Sequence, residues 1–157
     1  MSSIQSEHFT KTLLELLDET FDNVHGYYLD KHTSLFETLA SITADEASIP
    51  VGGKCATLAA QVKHVAFYLD VIVKSSRDPN FPPADWGEIW RTVNRVTPEE
   101  WQSIQEELRT NYNQILNLIE TTTVWSSGDE IGGMLAVLAH TAYHLGEIRQ
   151  ALCILRV

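Results

Sequence analysis

Hydrophobic side chains recur along most of this chain every three or four residues, which is the period of one face of an α-helix. Three clusters rich in glycine, proline or serine, at 50–53, 79–83 and 126–128, separate the helical segments from one another. No run alternates hydrophobic and polar residues for long enough to indicate a β-strand. The pattern therefore predicts an all-α protein.

The first segment carries a helical stripe of hydrophobic side chains, formed by Phe9, Leu13, Leu16, Leu17 and Phe21. The stretch 23–26 could bend or end this helix, and a second stripe continues from Tyr28 towards Ile42. The pattern leaves open whether residues 7–44 form one bent helix or two.

Two further helices have recognisable start signals. A second helix is predicted over 57–74, with its first residue, a threonine, as the N-cap. A third is predicted over 97–120, because Thr97 can cap it, Pro98 suits the first helical position and Glu100 completes a capping box. The segment between them contains prolines and tryptophans, and it predicts a long crossover.

The last predicted helix starts at about Asp129, a possible cap, and ends at Leu155. It is apolar almost all the way round, and it carries several small residues: Gly132, Gly133, Ala136, Ala139, Ala142 and Ala151. We expect such a helix in the middle of a bundle, because small side chains let neighbouring helices approach closely. Together the four main helices predict an up-down four-helix bundle, a single domain over residues 1–157 with a long crossover between its second and third helices.

The composition disfavours several classes of function. With 11 basic and 21 acidic residues the chain has a formal charge of −10, so its surface repels nucleic acid and anionic membranes. The two cysteines, Cys55 and Cys153, lack the spacing of a zinc or redox pair. No secretory signal is visible, and each hydrophobic run is too short to span a bilayer. We therefore expect a cytoplasmic protein that binds neither nucleic acid nor membrane.

Two histidines of the last helix are the strongest candidates for chemistry. His140 and His144 lie four residues apart, so their rings project from one face, close enough to share a metal ion. His64, in the middle of the second helix, could add a third nitrogen and leave open positions for water or substrate. The alternative is that each ring is a core histidine bonded to neighbouring groups.

Metal-binding helix patterns that rely on carboxylates do not fit this chain. Thr141 stands where a gluzincin needs glutamate directly after its first histidine. A di-iron carboxylate bundle needs Glu-x-x-His, yet the positions three before the histidines hold Gln61, Val137 and Thr141. A site of three imidazole ligands is the pattern that remains.

These features together resemble the DinB/YfiT-like superfamily of four-helix bundles. The resemblance rests on His64, on the tryptophan-containing crossover and on the segment 140–150, which begins His-x-x-x-His-x-Gly-Glu. It covers nearly the whole chain. It implies one divalent metal held by three histidines, often in a homodimer, and in some members a transferase or isomerase that uses a low-molecular-weight thiol.

By this resemblance His64, His140 and His144 would hold one divalent transition metal: Zn, Ni, Fe or Mn. Glu147 is a departure, since the family often has glutamine at this position. Glu147 lies three residues after His144 on the same helical face, where it could orient a ligand imidazole or relay a proton. Alternatively, it is a carboxylate at the rim that pairs with an arginine.

Other side chains have two interpretations or are set aside. Two tyrosines could line the pocket or belong to the core: Tyr68 and Tyr143. Three tryptophans could wall the metal cleft or pin the crossover: Trp86, Trp90 and Trp101. Three histidines of the first segment are expected at the surface or in a dimer contact: His8, His25 and His32. Cys153 follows His144 by nine residues, which places it on the opposite side of the helix and excludes it as a ligand.

Three functional hypotheses follow from these residues. The first is a metal-dependent enzyme in which a low-molecular-weight thiol attacks a small electrophilic substrate, since a metal lowers the pKa of a bound thiol or water. The second is a non-catalytic, homodimeric module that binds a metal or ligand. The third is a structural homodimer whose histidines are satisfied core groups.

Overall fold

The computed structural model of the chain describes residues 5–53 and 55–156, and in these ranges it is all-helical, without a strand. The described residues form seven α-helices: α1 (Ser6–Phe21), α2 (Leu35–Leu39), α3 (Ala44–Ala47), α4 (Leu58–Arg77), α5 (Glu88–Thr92), α6 (Pro98–Thr121) and α7 (Gly128–Leu155). A 3-10 turn at Val51–Gly53 precedes α4. The predicted all-α class is confirmed for the described ranges.

Four of these helices are long, and they pack on one another. Helix α4 contacts both α6 and α7, and α1 contacts the same two helices. The side chains of α4 are buried on most of its faces, and Val62, Val65 and Leu69 are completely enclosed. Helix α4 therefore lies at the centre of the core.

The prediction that the last helix occupies the middle is wrong. Helix α7 packs on α4 and α1 with one side, while its other side exposes Leu135, Tyr143 and Ile154 by 47%, 62% and 52%. Its glycines do not mediate close packing, because a Cβ added to any of them would meet no atom within 4 Å. The apolar residues around α7 thus belong to two surfaces, one buried and one open.

Residues 7–44 do not form one bent helix, because two helices, α1 and α2, lie within this range and a long loop separates them. Helix α1 ends at Phe21, an irregular loop covers 22–34, and the second hydrophobic stripe contains the short helix α2, after which the short helix α3 begins at Ala44. Ser34 and Thr43 each begin one of them with a capping box. The short helices therefore have start signals of their own, which a stripe of hydrophobic residues does not reveal.

The predicted starts of α4 and α6 are confirmed. Thr57 caps α4, and Thr97 caps α6 with the capping box that the sequence predicts. The cap of α7 is Ser127 and not Asp129, because the Ser127 hydroxyl accepts a hydrogen bond from the backbone N–H of Glu130. The boundaries of the long helices are thus set by local side-chain bonds to backbone groups.

The crossover between α4 and α6 is fastened to the segment of α2 and α3. The backbone N–H of Val96 donates a hydrogen bond to Ser48 Oγ at 3.0 Å. At the start of α6, the buried Trp101 donates its indole N–H to the carbonyl oxygen of Ile42 at 2.9 Å. Trp101 therefore pins this part of the chain, which is one of its two predicted roles.

No single helix in the described ranges is both long and apolar enough to cross a bilayer. The segments Ala44–Gly53 and Leu58–Arg77 meet that requirement only as a pair, and they are bent by 102° relative to each other.

A buried carboxylate organises the loop between α1 and α2. Glu19, near the end of α1, has no exposed surface, and its oxygens accept hydrogen bonds of 2.6–3.0 Å from the backbone N–H groups of His25, Tyr27, Tyr28 and Leu29. Burial raises the pKa of Glu19, but the four donors outweigh it and lower this pKa from 4.5 to about 2. The loop is therefore built around a negative charge.

This arrangement predicts a stability loss for Glu19→Gln. An amide keeps one acceptor oxygen but points its NH₂ group at backbone donors, so we expect a loss on the order of 3 kcal/mol in the free energy of unfolding at pH 7. Urea titration measures it, with the exposed Glu7→Gln on the same helix as the control. The pKa of Glu19 is lower in the folded protein than in the unfolded chain. The contribution of the ionised Glu19 to the free energy of unfolding is therefore full above pH 4.5, and it is lost as the pH falls towards 2. A difference between wild type and variant that stays constant from pH 6 to pH 3 would contradict this account.

Candidate metal centre

Three histidine rings from two helices converge where α4 contacts α7. One nitrogen from each of His64, His140 and His144 lies within 4.8 Å of the others. The Nε2 atoms of His64 and His140 are 3.2 Å apart. Two nitrogens bound to one tetrahedral metal at ~2.1 Å are separated by about 3.4 Å. The three predicted ligands are therefore brought close enough together to bind a metal ion.

Each ring is positioned by the helix that carries it. His64 lies in the second turn of α4, which is the central helix of the core. His140 and His144 lie one turn apart in the middle of α7, so they share a face, and this face meets α4. His64 and His144 are only 8% and 6% exposed. The cluster is therefore enclosed within the contact between the helices.

His144 is held by side chains of both helices. Its Nδ1 lies 2.7 Å from Oε1 of Gln61 on α4 and 2.9 Å from Oε2 of Glu147 on α7. Because both partners are acceptors, Nδ1 carries the proton, and Nε2 has a free lone pair for a metal. Among the described residues, no arginine forms an ion pair with Glu147. The contact therefore matches the orienting role predicted for this carboxylate.

The other two rings lack such partners. The Nδ1 atoms of His64 and His140 are buried, and neither has a hydrogen-bond partner within the described ranges. Between their Nε2 atoms the protein alone can form one hydrogen bond, from the N–H of one ring to the lone pair of the other. A cation would use the lone pairs of both rings. These two histidines are thus not satisfied core groups, and the donor set fits a metal.

Burial favours the neutral form of all three rings. Burial lowers the pKa of His64 and that of His140 from 6.5 to about 4, and repulsion from a charged His144 acts in the same direction. Burial also lowers the pKa of His144, although the Glu147 carboxylate opposes this shift. Neutral imidazole is the form that binds metal, so at neutral pH no proton has to leave these rings.

Aromatic side chains cover two sides of the cluster. Tyr68 stacks on His140 with ring centroids 3.8 Å apart and an interplanar angle of 18°. Trp90 of α5 lies 4.5 Å from the ring of His64, measured between centroids. Trp86 packs against Tyr68 at 5.9 Å and extends this cover. The crossover therefore contributes a wall of the candidate centre, which is the second of the roles predicted for its tryptophans.

The remaining candidates lie at the edge of the centre or away from it. Tyr143 is 62% exposed, and its ring meets that of His144 edge to face at 5.0 Å. The histidines of the first segment are exposed, as predicted: His8, His25 and His32. Both cysteines are free and exposed: Cys55 and Cys153. None of these five exposed histidine and cysteine side chains belongs to the cluster.

Gln61 is a residue of the site that the sequence pattern does not single out, because position 61 stands out only as one that lacks the glutamate of a di-iron motif. Gln61 lies three residues before His64, which places both side chains on one face of α4. That spacing is the signal that could identify it, because a long polar side chain beside His64 also faces α7.

No family model, curated protein or solved structure matches this chain. The resemblance to the DinB/YfiT-like superfamily therefore stays a prediction. What characterises the site is its own geometry: three neutral, largely buried imidazoles, one of them oriented by Gln61 and Glu147.

The geometry predicts that metal binding needs all three rings. We expect about one divalent ion per chain in the wild type, and less than a tenth of that in His140→Ala and in His64→Ala after dialysis against limiting Zn²⁺, because three nitrogens are the minimum for such a site. Elemental analysis gives the stoichiometry. His25→Ala is the matched control, since His25 is exposed and bonded to Asp18. Unchanged metal content in a His64→Ala, His140→Ala double variant would remove the site.

Proposed function

We propose that this protein is a metal-dependent enzyme of the DinB-like type, a thiol-dependent transferase or isomerase that acts on small electrophilic molecules. The proposed architecture is the up-down four-helix bundle of that superfamily, made by α1, α4, α6 and α7. The observation that carries the proposal is the convergence of His64, His140 and His144 on one point. Three protein ligands leave a coordination position for a thiol, water or substrate.

The metal proposed here is one divalent transition ion. Three imidazoles suit Zn, Ni, Fe or Mn, and a low-molecular-weight thiol is the proposed cosubstrate. When bound, such an ion supplies a Lewis acid that lowers the pKa of a coordinated thiol or water. Glu147, which is in part exposed and bonded to His144, would be the residue that accepts the released proton.

The side chains around the histidines would orient the ligands and limit the access of water. Gln61 and Glu147 fix the Nδ1 proton of His144, so its Nε2 keeps one orientation. Tyr68 and Trp90 cover ring faces of His140 and His64. A substrate would therefore approach a metal here through the space that these rings leave open.

A non-catalytic metal-binding module is the second candidate, and one observation favours it. The rings of His64 and His144 are nearly inaccessible, at 8% and 6% exposure. An ion held here would have limited contact with a substrate unless the crossover that carries Trp90 moved. Such a site would stabilise the fold or sense a ligand without turnover.

A homodimer is the proposed assembly. The exposed side of α7 presents three large apolar side chains, Leu135, Tyr143 and Ile154. A second copy packed on this side would cover them, in the manner that the DinB-like resemblance implies.

Turnover separates the two candidate functions. We expect metal-free protein reloaded with Zn, Ni, Fe or Mn to accelerate the loss of free thiol in the presence of an epoxide or an aromatic halide. His140→Ala should lower the rate by at least about 100-fold, because the Lewis acid is lost. His25→Ala should match the wild type. Stoichiometric metal with no turnover over a panel of thiols and electrophiles would establish the non-catalytic module instead.

Assembly is tested by light scattering coupled to gel filtration. We expect twice the chain mass of 17.7 kDa for the wild type, and a monomer for Leu135→Glu, because a buried unpaired carboxylate disfavours association. Val124→Glu is the control, since Val124 is 63% exposed but lies outside α7. A wild-type protein that stays monomeric at high concentration would exclude the homodimer.

A further inference from the structure

A cavity lies beside α7, on the side away from the histidine cluster. Its volume is about 480 Å³, within the range of small-molecule sites. It is lined by residues of α7 and of the α2 region: His32, Glu37, Thr38, Ser41, Arg149, Leu152, Cys153 and Arg156. Arg149 follows His144 by five residues, which turns it about 140° around the helix axis. The cavity is therefore separate from the candidate metal centre.

Arg149 is the unusual group in this cavity. Its side chain is half-buried, yet its one hydrogen bond in the described ranges is a long contact of 3.5 Å from Nη1 to Thr38 Oγ1. No carboxylate within these ranges pairs with it. By contrast, Arg109 makes two bonds of 2.6 and 2.7 Å with Asp22. Arginine is rarely withdrawn from water without a charged partner, so Arg149 has unused donors that face a cavity.

The other charged side chains of the cavity already have hydrogen-bond partners. Arg156 binds Glu46 Oε1 through Nε at 2.8 Å. The carboxylate of Glu37 accepts hydrogen bonds from Ser34 and lies 3.3 Å from His32 Nδ1. Of the two arginines that line the cavity, Arg149 is therefore the one without a carboxylate partner in the described ranges.

The backbone at the rim of the cavity is also unusual. His32 has a φ of 63°, in the left-handed region that residues other than glycine seldom adopt. This conformation places the His32 ring beside Glu37. Strained residues of this kind cluster at binding sites, where the surrounding structure holds them. The strain is an observation independent of the charge of Arg149.

We infer that this cavity binds a small molecule that carries a carboxylate or phosphate group, with Arg149 and Thr38 as its anchors. A guanidinium presents parallel N–H donors that match two oxygens of such a group. The Thr38 hydroxyl, which accepts from Arg149, has its own hydrogen available for a third bond. The buried Leu152 provides an apolar floor for the rest of the ligand.

Calorimetric titration tests this inference with two probes used separately, inorganic phosphate and acetate, at constant ionic strength. We expect saturable binding of at least one probe to the full-length protein. Arg149→Gln and Thr38→Val should each weaken it by about tenfold or more, since each removes a bond to a charged group. Arg77→Gln is the matched control, because Arg77 is exposed and lies on α4.

A third variant tests the space of the cavity independently of the charge of Arg149. Cys153→Phe would fill space at the lining without altering any charge, and we expect it to abolish binding while thermal unfolding stays two-state. Binding of phosphate alone identifies a phosphate-bearing ligand, and binding of acetate alone identifies a carboxylate. No saturable binding of either probe, or equal binding by wild type and Arg149→Gln, overturns the inference. The metal content of these variants should equal that of the wild type, so this test is independent of the proposed metal centre.

Discussion

Enclosing imidazole rings between two helices removes water from their nitrogens, and each nitrogen then needs a partner. The contact of α4 with α7 imposes this requirement on His64, His140 and His144. The protein supplies partners for His144 from Gln61 and Glu147, but His64 and His140 share one short contact with each other. Buried polar groups left in this state lower stability, and the three rings lie close enough together to bind one metal ion.

The rest of the fold holds the elements of this contact in place. Helix α4 is rigidly placed because it is surrounded by α6, α7 and the short helices α3 and α5. The crossover is hydrogen-bonded to Ser48 through the backbone of Val96, and its Trp90 packs against the ring of His64. The rings therefore have little freedom to turn away from one another, which is the condition for a metal site that exists before the ion arrives.

The long helices and the three clustered histidines could be predicted from the sequence, because their signals are local. A threonine followed three residues later by glutamate marks the start of α6, and the spacing of His140 and His144 places them on one face. The loop that Glu19 organises could not be predicted, since its donors are backbone groups that carry no residue identity. The partly exposed position of α7 could not be predicted for another reason. Hydrophobic composition does not say which side of a helix is covered by other helices.

The two acceptors on the Nδ1 of His144 come from different helices. If α4 shifts slightly against α7, the distance from this nitrogen to Gln61 changes, while the distance to Glu147 on its own helix does not. The N–H can then pass from one oxygen to the other without losing its hydrogen bond. The tautomer of the ring would thus be insensitive to such a shift, and His144 would present the same nitrogen.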